Sequence, residues 1–107
     1  MTVTFINAFE VAADADDDFQ NRWEEVNRYM RTKPGYLDHV LHRSLTADAR
    51  FRFVNVAHWA SVEDWRAAHD VGFRTLVGKP EWARYPSTPA VFEIVHSGSV
   101  QPQQMTA

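Results

Sequence analysis

Along residues 3–11, Val3, Phe5, Asn7, Phe9 and Val11 fall on one face, and Thr4, Ile6, Ala8 and Glu10 on the other. A period of two carried by aromatic and β-branched residues predicts a strand. Apolar residues on both faces predict that both are covered. The acidic run Asp14 to Asp18 then opens a helix, with Asp17 as N-cap and Gln20 three residues on, its carboxylates beside the positive end of the helix dipole. Phe19, Trp23, Val26 and Met30 form one stripe at helical spacing, and Pro34-Gly35 ends it.

A second strand is predicted from Tyr36 to Leu45 and a third from Arg50 to Trp59, joined by the polar turn Thr46 to Ala49. In the third, Phe51, Phe53, Asn55, Ala57 and Trp59 share a face. Ser61-Val62-Glu63-Asp64 is a capping box for a second helix with the stripe Val62, Trp65, His69 and Phe73. Gly72 and Gly78-Lys79-Pro80 break the chain beyond it into short helical pieces, Trp82 to Pro89 reads as loop, and Ala90 to His96 alternates as a last strand. The order β-α-β-β-α-β predicts an α+β, ferredoxin-like domain over residues 1–96: a four-stranded antiparallel sheet with helices on one face. Residues 97–107 read as a polar C-terminal tail. The strands are apolar on both faces while helices cover one, so the other face is expected to meet a second copy in an isologous homodimer.

Composition narrows the chemistry. The 107 residues carry 11 Lys+Arg against 14 Asp+Glu, a net charge of -3, which argues against nucleic acid or an anionic membrane as partner. Without cysteine there is no disulfide, thiolate metal site or cysteine nucleophile. The N-terminus lacks the features of a signal peptide, and no apolar run approaches the roughly 18–20 residues of a membrane span, so a cytoplasmic protein is expected. Seven Phe, four Trp and three Tyr are many rings for a core this small.

No metal site is expected. Asp14, Asp16, Asp18 and Glu25 mimic a calcium loop, but Phe19 stands where that loop needs Gly. His39 and His42, three apart on a strand, face opposite ways, and there is no H-E-x-x-H, nucleophile elbow or phosphate-binding glycine loop. The odd feature is Asn7 and Asn55, amides on strand faces otherwise built of Phe, Val, Ala and Trp. The bland alternative is a pair of core amides bonded to backbone or water. Two of them on neighbouring strands, with Trp59 just beyond, point instead to a cavity with aromatic walls and a few polar contacts.

The segment Phe53-Val54-Asn55-Val56-Ala57-His58-Trp59, followed by the capped helix bearing Trp65, resembles the antibiotic biosynthesis monooxygenase family. Pro34-Gly35-Tyr36 with His39 and Leu41, Phe5-Ile6-Asn7 with Val11, and Pro89-Ala90-Val91-Phe92-Glu93 extend the resemblance over roughly residues 3–96. It implies a dimeric α/β barrel and oxygenation of an aromatic, anthrone-like polyketide by dioxygen without metal, flavin or other cofactor. In that reading Asn55 hydrogen-bonds the developing oxyanion and Trp59 lines the pocket; from the strand and helix patterns, Asn7, Phe5, Phe53 and His69 are expected to contact substrate. The helix aromatic, commonly Tyr in the family, is Trp65, which cannot act as a phenolic acid or base. Arg74 is expected to stabilise negative charge, and His69, able to titrate near neutrality, is the candidate for proton transfer.

Two alternatives stand beside it. A heme-binding, heme-degrading branch of the same superfamily is matched at Asn7, but its helix Trp and axial His fall on Ala68 and Val77, with His69 one residue from the former. The other is a non-enzymatic small-molecule-binding accessory protein.

Overall fold

The computed structural model describes residues 1–100. Strand β1 (Val3–Phe9) leads through a 3-10 turn, Ala13–Ala15, into helix α1 (Asp16–Met30). Strands β2 (Tyr36–Arg43) and β3 (Phe53–Trp59) come next. Two short helices, α2 (Val62–Ala68) and α3 (Val71–Val77), and a second 3-10 segment, Pro80–Arg84, precede strand β4 (Ser87–Glu93). The sheet is four-stranded, ordered β2-β3-β1-β4, with every neighbouring pair antiparallel. This is the ferredoxin-like α+β fold expected.

Several boundaries differ, each for a local reason. Helix α1 starts at Asp16 behind Ala15, with no side-chain cap, and Asp17 is exposed rather than capping. The flanking carboxylates are used elsewhere: Asp16 receives Nε and Nη2 of Arg52 (3.2 and 2.7 Å), and Asp18 receives Nε of Arg22 (2.9 Å) and the Tyr85 hydroxyl. Strands β2 and β3 are shorter than predicted, ending at Arg43 and beginning at Phe53. Strand β4 begins three residues earlier than expected, because Ser87, Thr88 and Pro89 pair with Phe9, Ala8 and Asn7. Pro89 is tolerated there because β4 is an edge strand, whose outer side needs no donor. The break expected at Gly72 comes earlier: α2 ends at Ala68, the chain turns at His69 (ψ 58°), and Asp70 restarts it as α3, its carboxylate accepting from Phe73 N–H at 3.0 Å.

The expected cap at Ser61 holds, whereas α1 already ends at Met30, with Arg31 as C-cap, before Pro34-Gly35 is reached. Ser61 accepts from Asp64 N–H at 3.1 Å. Gly35 has φ 86°, a left-handed conformation in which a side chain is strained, and a Cβ there would run into Asp64. A bulge between Tyr36 and Asp38 then lets Tyr36 turn in against Trp59 while Asp38 meets His58 on the opposite sheet face.

The core is in two pieces. At one end Phe19, fully buried, stacks on Phe53 (centroids 4.6 Å apart) and packs with Phe9, Val11, Ala15 and Tyr85. At the other, Val3, Val26, Met30, Trp59 and Ala68 form a second cluster. Residues 97–100 carry no helix or strand, and the rest of the expected tail, 101–107, lies outside the described residues. Among the described residues no helix is long and apolar enough to cross a membrane.

Phe19→Ala removes the ring around which the first cluster is built. A loss of about 3–5 kcal/mol in urea unfolding is expected; a loss under about 1 kcal/mol would mean that the first cluster is not a packed core.

Candidate active site

The register of β1 against β3 sets the site. Phe9 pairs with Phe53 in one core cluster, and Val3 pairs with Trp59 in the other. Between them Asn7 lies directly opposite Asn55, and Phe5 opposite Ala57. These residues share the face turned toward the helices, and above them opens a cavity of about 560 Å³. Helix α1 contributes Trp23, Val26, Asn27 and Met30 to its wall. Trp65, His69, Phe73 and Val77 come from α2, α3 and the break between them, and Trp82 and Tyr85 from the segment before β4.

The lining contains no Asp, Glu, Lys or Arg. Its polarity comes from amides, indoles, hydroxyls and one imidazole. Four of these polar atoms, Asn7 Oδ1, Asn55 Oδ1, Trp59 Nε1 and Trp65 Nε1, are buried without a hydrogen-bond partner. Two acceptors and two donors left unpaired in an aromatic wall are unusual, since most buried polar groups in folded proteins are satisfied. Among the described residues no group of three or more His, Asp or Glu is arranged to hold a metal ion.

The model of the family "Antibiotic biosynthesis monooxygenase" matches residues 2–71, which contain β1, α1, β2, β3 and α2. The chain belongs to this family. Among solved structures, a candidate monooxygenase from Shewanella loihica is 31% identical, with a TM-score of 0.78, the match covering 90% of this chain and 96% of that one. The heme-degrader MhuD of Mycobacterium tuberculosis, solved with two hemes in its active site, is 26% identical at a TM-score of 0.69, over 91% and 99% of the two chains. SnoaB of Streptomyces nogalater, a cofactor-independent oxygenase, shares the fold at 24% identity and a TM-score of 0.74, over 90% and 95%. Comparison with curated proteins gave no match.

On this monooxygenase-family scaffold, six of the eight residues singled out in the sequence line the cavity: Phe5, Asn7, Asn55, Trp59, Trp65 and His69. Phe53 does not. It is 1% exposed and belongs to the first core cluster, one pair beyond the asparagines, where α1 covers it with Phe19. Arg74 does not either. It sits on the exposed side of α3 and its Nη1 donates to the His69 carbonyl at 2.9 Å. The helical stripe carries Phe73 inward, so the next residue points out. Trp23, read in the sequence only as part of the α1 stripe, is part of the wall, as are Trp82 and Tyr85 from the stretch predicted as loop. Nothing in local periodicity marks those two, because a 3-10 segment has no long repeat to detect.

The three titratable lining groups are held differently. Burial raises the Tyr36 hydroxyl above its ordinary value, and it accepts from Asn27 Nδ2 at 3.1 Å. Burial and the neighbouring Asp18 carboxylate raise Tyr85. The His69 imidazole is pushed below its ordinary value by burial, only partly offset by its hydrogen bond to the Trp65 carbonyl. Its ring is surrounded by Phe5, Trp65 and Phe73, with centroids 5.9, 4.6 and 4.5 Å away.

Asp70 anchors the second half of this wall. It accepts from Lys33 Nζ (2.8 Å), from the Tyr29 hydroxyl (2.7 Å) and from Phe73 N–H, tying α3 to the end of α1. These partners, Lys33 foremost, hold its carboxyl far below the usual 3.8. A carboxyl with a depressed folded-state value stabilises the fold above its unfolded value and loses that contribution as pH falls. Asp70→Asn is therefore expected to lower the urea midpoint at pH 7, and the gap to wild type should close as pH drops below about 4. A gap independent of pH would show that the charge of Asp70 is not what ties α3 to α1.

Proposed function

We propose that this protein oxidises an aromatic, anthrone-like polyketide with dioxygen, using no metal, flavin or heme. What supports this most is the uncharged aromatic cavity with its four unpartnered polar atoms. Each costs about 1–3 kcal/mol while unsatisfied. A flat polycycle bearing hydroxyls and carbonyls supplies what they lack: phenolic O–H groups donate to the asparagine oxygens, and carbonyl oxygens accept from the indoles.

The substrate carries the chemistry. Loss of one benzylic proton gives an anion delocalised over the rings and the carbonyl. That anion reduces dioxygen by one electron, and recombination of the radical pair forms the C–O bond of a peroxide. Loss of the second hydrogen from that carbon as a proton breaks the O–O bond, leaving a carbonyl and water. The balance is CH2 + O2 → C=O + H2O, so no external reductant is needed. The protein has to hold the substrate, stabilise its anion and keep bulk water out. Asn55 is given the anion-stabilising role through its Nδ2 hydrogens, its Oδ1 being able only to accept, with Asn7 opposite it. Trp59 and Trp65 form walls that also donate.

Heme is a poorer fit to these residues. Its two propionates would meet no cation in the lining. Hemin titration is expected to give no saturable Soret shift; a sharp shift abolished in His69→Ala would establish the heme reading instead.

With 1,8-dihydroxyanthrone as probe and a chelator present, saturable oxygen uptake is expected. Asn55→Ala should lower kcat/KM by about 100-fold or more, the scale of losing one oxyanion donor. Unchanged turnover in both Asn55→Ala and Trp59→Phe would overturn the assignment. Binding of the matching anthraquinone without any turnover would make the protein an accessory binder.

The same proposal includes a homodimer through the sheet face opposite the helices. Val40 and Phe92 are 56% and 47% exposed there, continuous with half-buried Ile6, Val54 and Val56. Such a patch on a small domain is a protein-contact surface more often than a solvated one, and the twofold self-pairing of a sheet needs only this one chain. Sedimentation equilibrium should give twice the chain mass, reduced to the monomer by Val56→Glu; a well-folded wild-type monomer would refute it.

A further inference from the structure

We propose that His69 is the general base of the reaction, its Nε2 accepting the acidic proton of the bound substrate; the substrate class rests on the oxygenase reading above. The tautomer is set by one contact. His69 Nδ1 lies 2.6 Å from the Trp65 carbonyl oxygen, which can only accept, so Nδ1 carries the hydrogen and the neutral ring keeps its lone pair on Nε2. The contact spans one helical turn and is backed by Phe5, Trp65 and Phe73, so the ring cannot easily turn over. No other lining group can take a proton near neutrality. Tyr36 and Tyr85 are both held in their protonated forms. His39, the nearest alternative imidazole, lies outside this cavity, beside Trp23 and Arg31, and shares its Nδ1 with the Tyr36 hydroxyl.

The step balances simply. The proton leaves the benzylic carbon, or a phenolic oxygen, for Nε2. The electron pair stays in the substrate π system, and a neutral pair becomes imidazolium and anion. The imidazolium then returns its proton to the peroxide oxygen that departs as water, which restores the base. The charged groups around the ring are few. Asp70, next in the chain, favours the imidazolium, but its carboxylate is shared with Lys33 and Tyr29 from α1. Arg74 contacts the His69 carbonyl rather than the ring. Burial dominates, leaving the imidazole uncharged and able to accept a proton at neutral pH.

Proton removal can be read without oxygen. Under anaerobic conditions at pH 7, wild-type protein mixed with 1,8-dihydroxyanthrone should develop the absorbance of the bound anion. His69→Gln and His69→Asn should lose it by tenfold or more, yet still quench tryptophan fluorescence with 1,8-dihydroxyanthraquinone at near wild-type affinity. In air, wild-type kcat/KM should rise with pH through an apparent pKa below 6.5 and then level. The variants should lack that limb and fall about 100-fold or more at neutrality, and imidazole should partly rescue His69→Ala. Anion formation undiminished in the variants would overturn the proposal, as would its absence from wild type that binds the quinone. Loss of quinone binding in both variants would make His69 a structural residue and also overturn it. Anion formed without oxygen uptake would leave His69 as the base and remove the oxygenase reading, so the two fail separately.

Discussion

The pairing of β1 with β3 in one register is the constraint on which the rest depends. Side chains alternate along a strand, so a slip of β1 by one residue would carry Phe9, Asn7 and Phe5 to the outer face and leave Phe53, Asn55 and Trp59 without them. In the observed register the large residues at the two ends of the pair, Phe9 with Phe53 and Val3 with Trp59, seed two separate cores. The amides end up between them. Burying apolar surface at both ends supports a polar, incompletely filled middle, whose aromatic walls, Trp23 and Trp82 on one side and Phe5, Trp65 and Phe73 on the other, pack against the two clusters.

A cavity in so small a domain must also be kept from collapsing. Helix α1 spans it as a beam, resting on Phe19 at its start and on Val26 and Met30 toward its end. Polar ties lie beyond each support. Asp16 is gripped by Arg52 of the sheet, whose third nitrogen donates to Ser44 O at 2.7 Å, and Lys33 and Tyr29 meet Asp70 at the head of α3. The break at His69 matters as much. A continuous helix from Val62 would have presented one straight stripe to the sheet; two short helices let Trp65, His69 and Phe73 curve around a common space.

Such features mark the limit of what the chain reveals when read locally. Periods of two and of three to four residues reveal the four strands, α1 and the Ser61 cap, because each depends on neighbours a few positions away. The asparagines can be singled out for the same reason: an amide in an apolar strand face contradicts its surroundings. Phe53 and Arg74 are misplaced by a local reading because their positions depend on distant partners. Phe53 is a core residue only because Phe19, far away in sequence, covers it. Arg74 faces outward only because Asp70 restarts the helix and sets its phase. The start of β4 is hidden by Pro89, which argues against a strand unless the strand is known to be an edge.

A lining without charge limits the kinds of chemistry the cavity can host. It offers no carboxylate pair for acid–base hydrolysis, no cation for phosphate, and no ligand cluster for a metal among the described residues. What it offers is shape, four unmatched hydrogen-bonding atoms and one imidazole with a fixed lone pair. Such a site is of use to a substrate whose reactivity is released by removing a single proton. The requirement then falls on the apolar wall: a desolvated imidazole is a better acceptor at neutral pH than a solvated cationic one, and the same dryness strengthens each hydrogen bond to the anion it creates. The aromatic residues that look excessive for a core of this size supply that dryness, which is why Trp23, Trp65, Phe73 and Trp82 stand around the cavity rather than within either cluster of buried side chains.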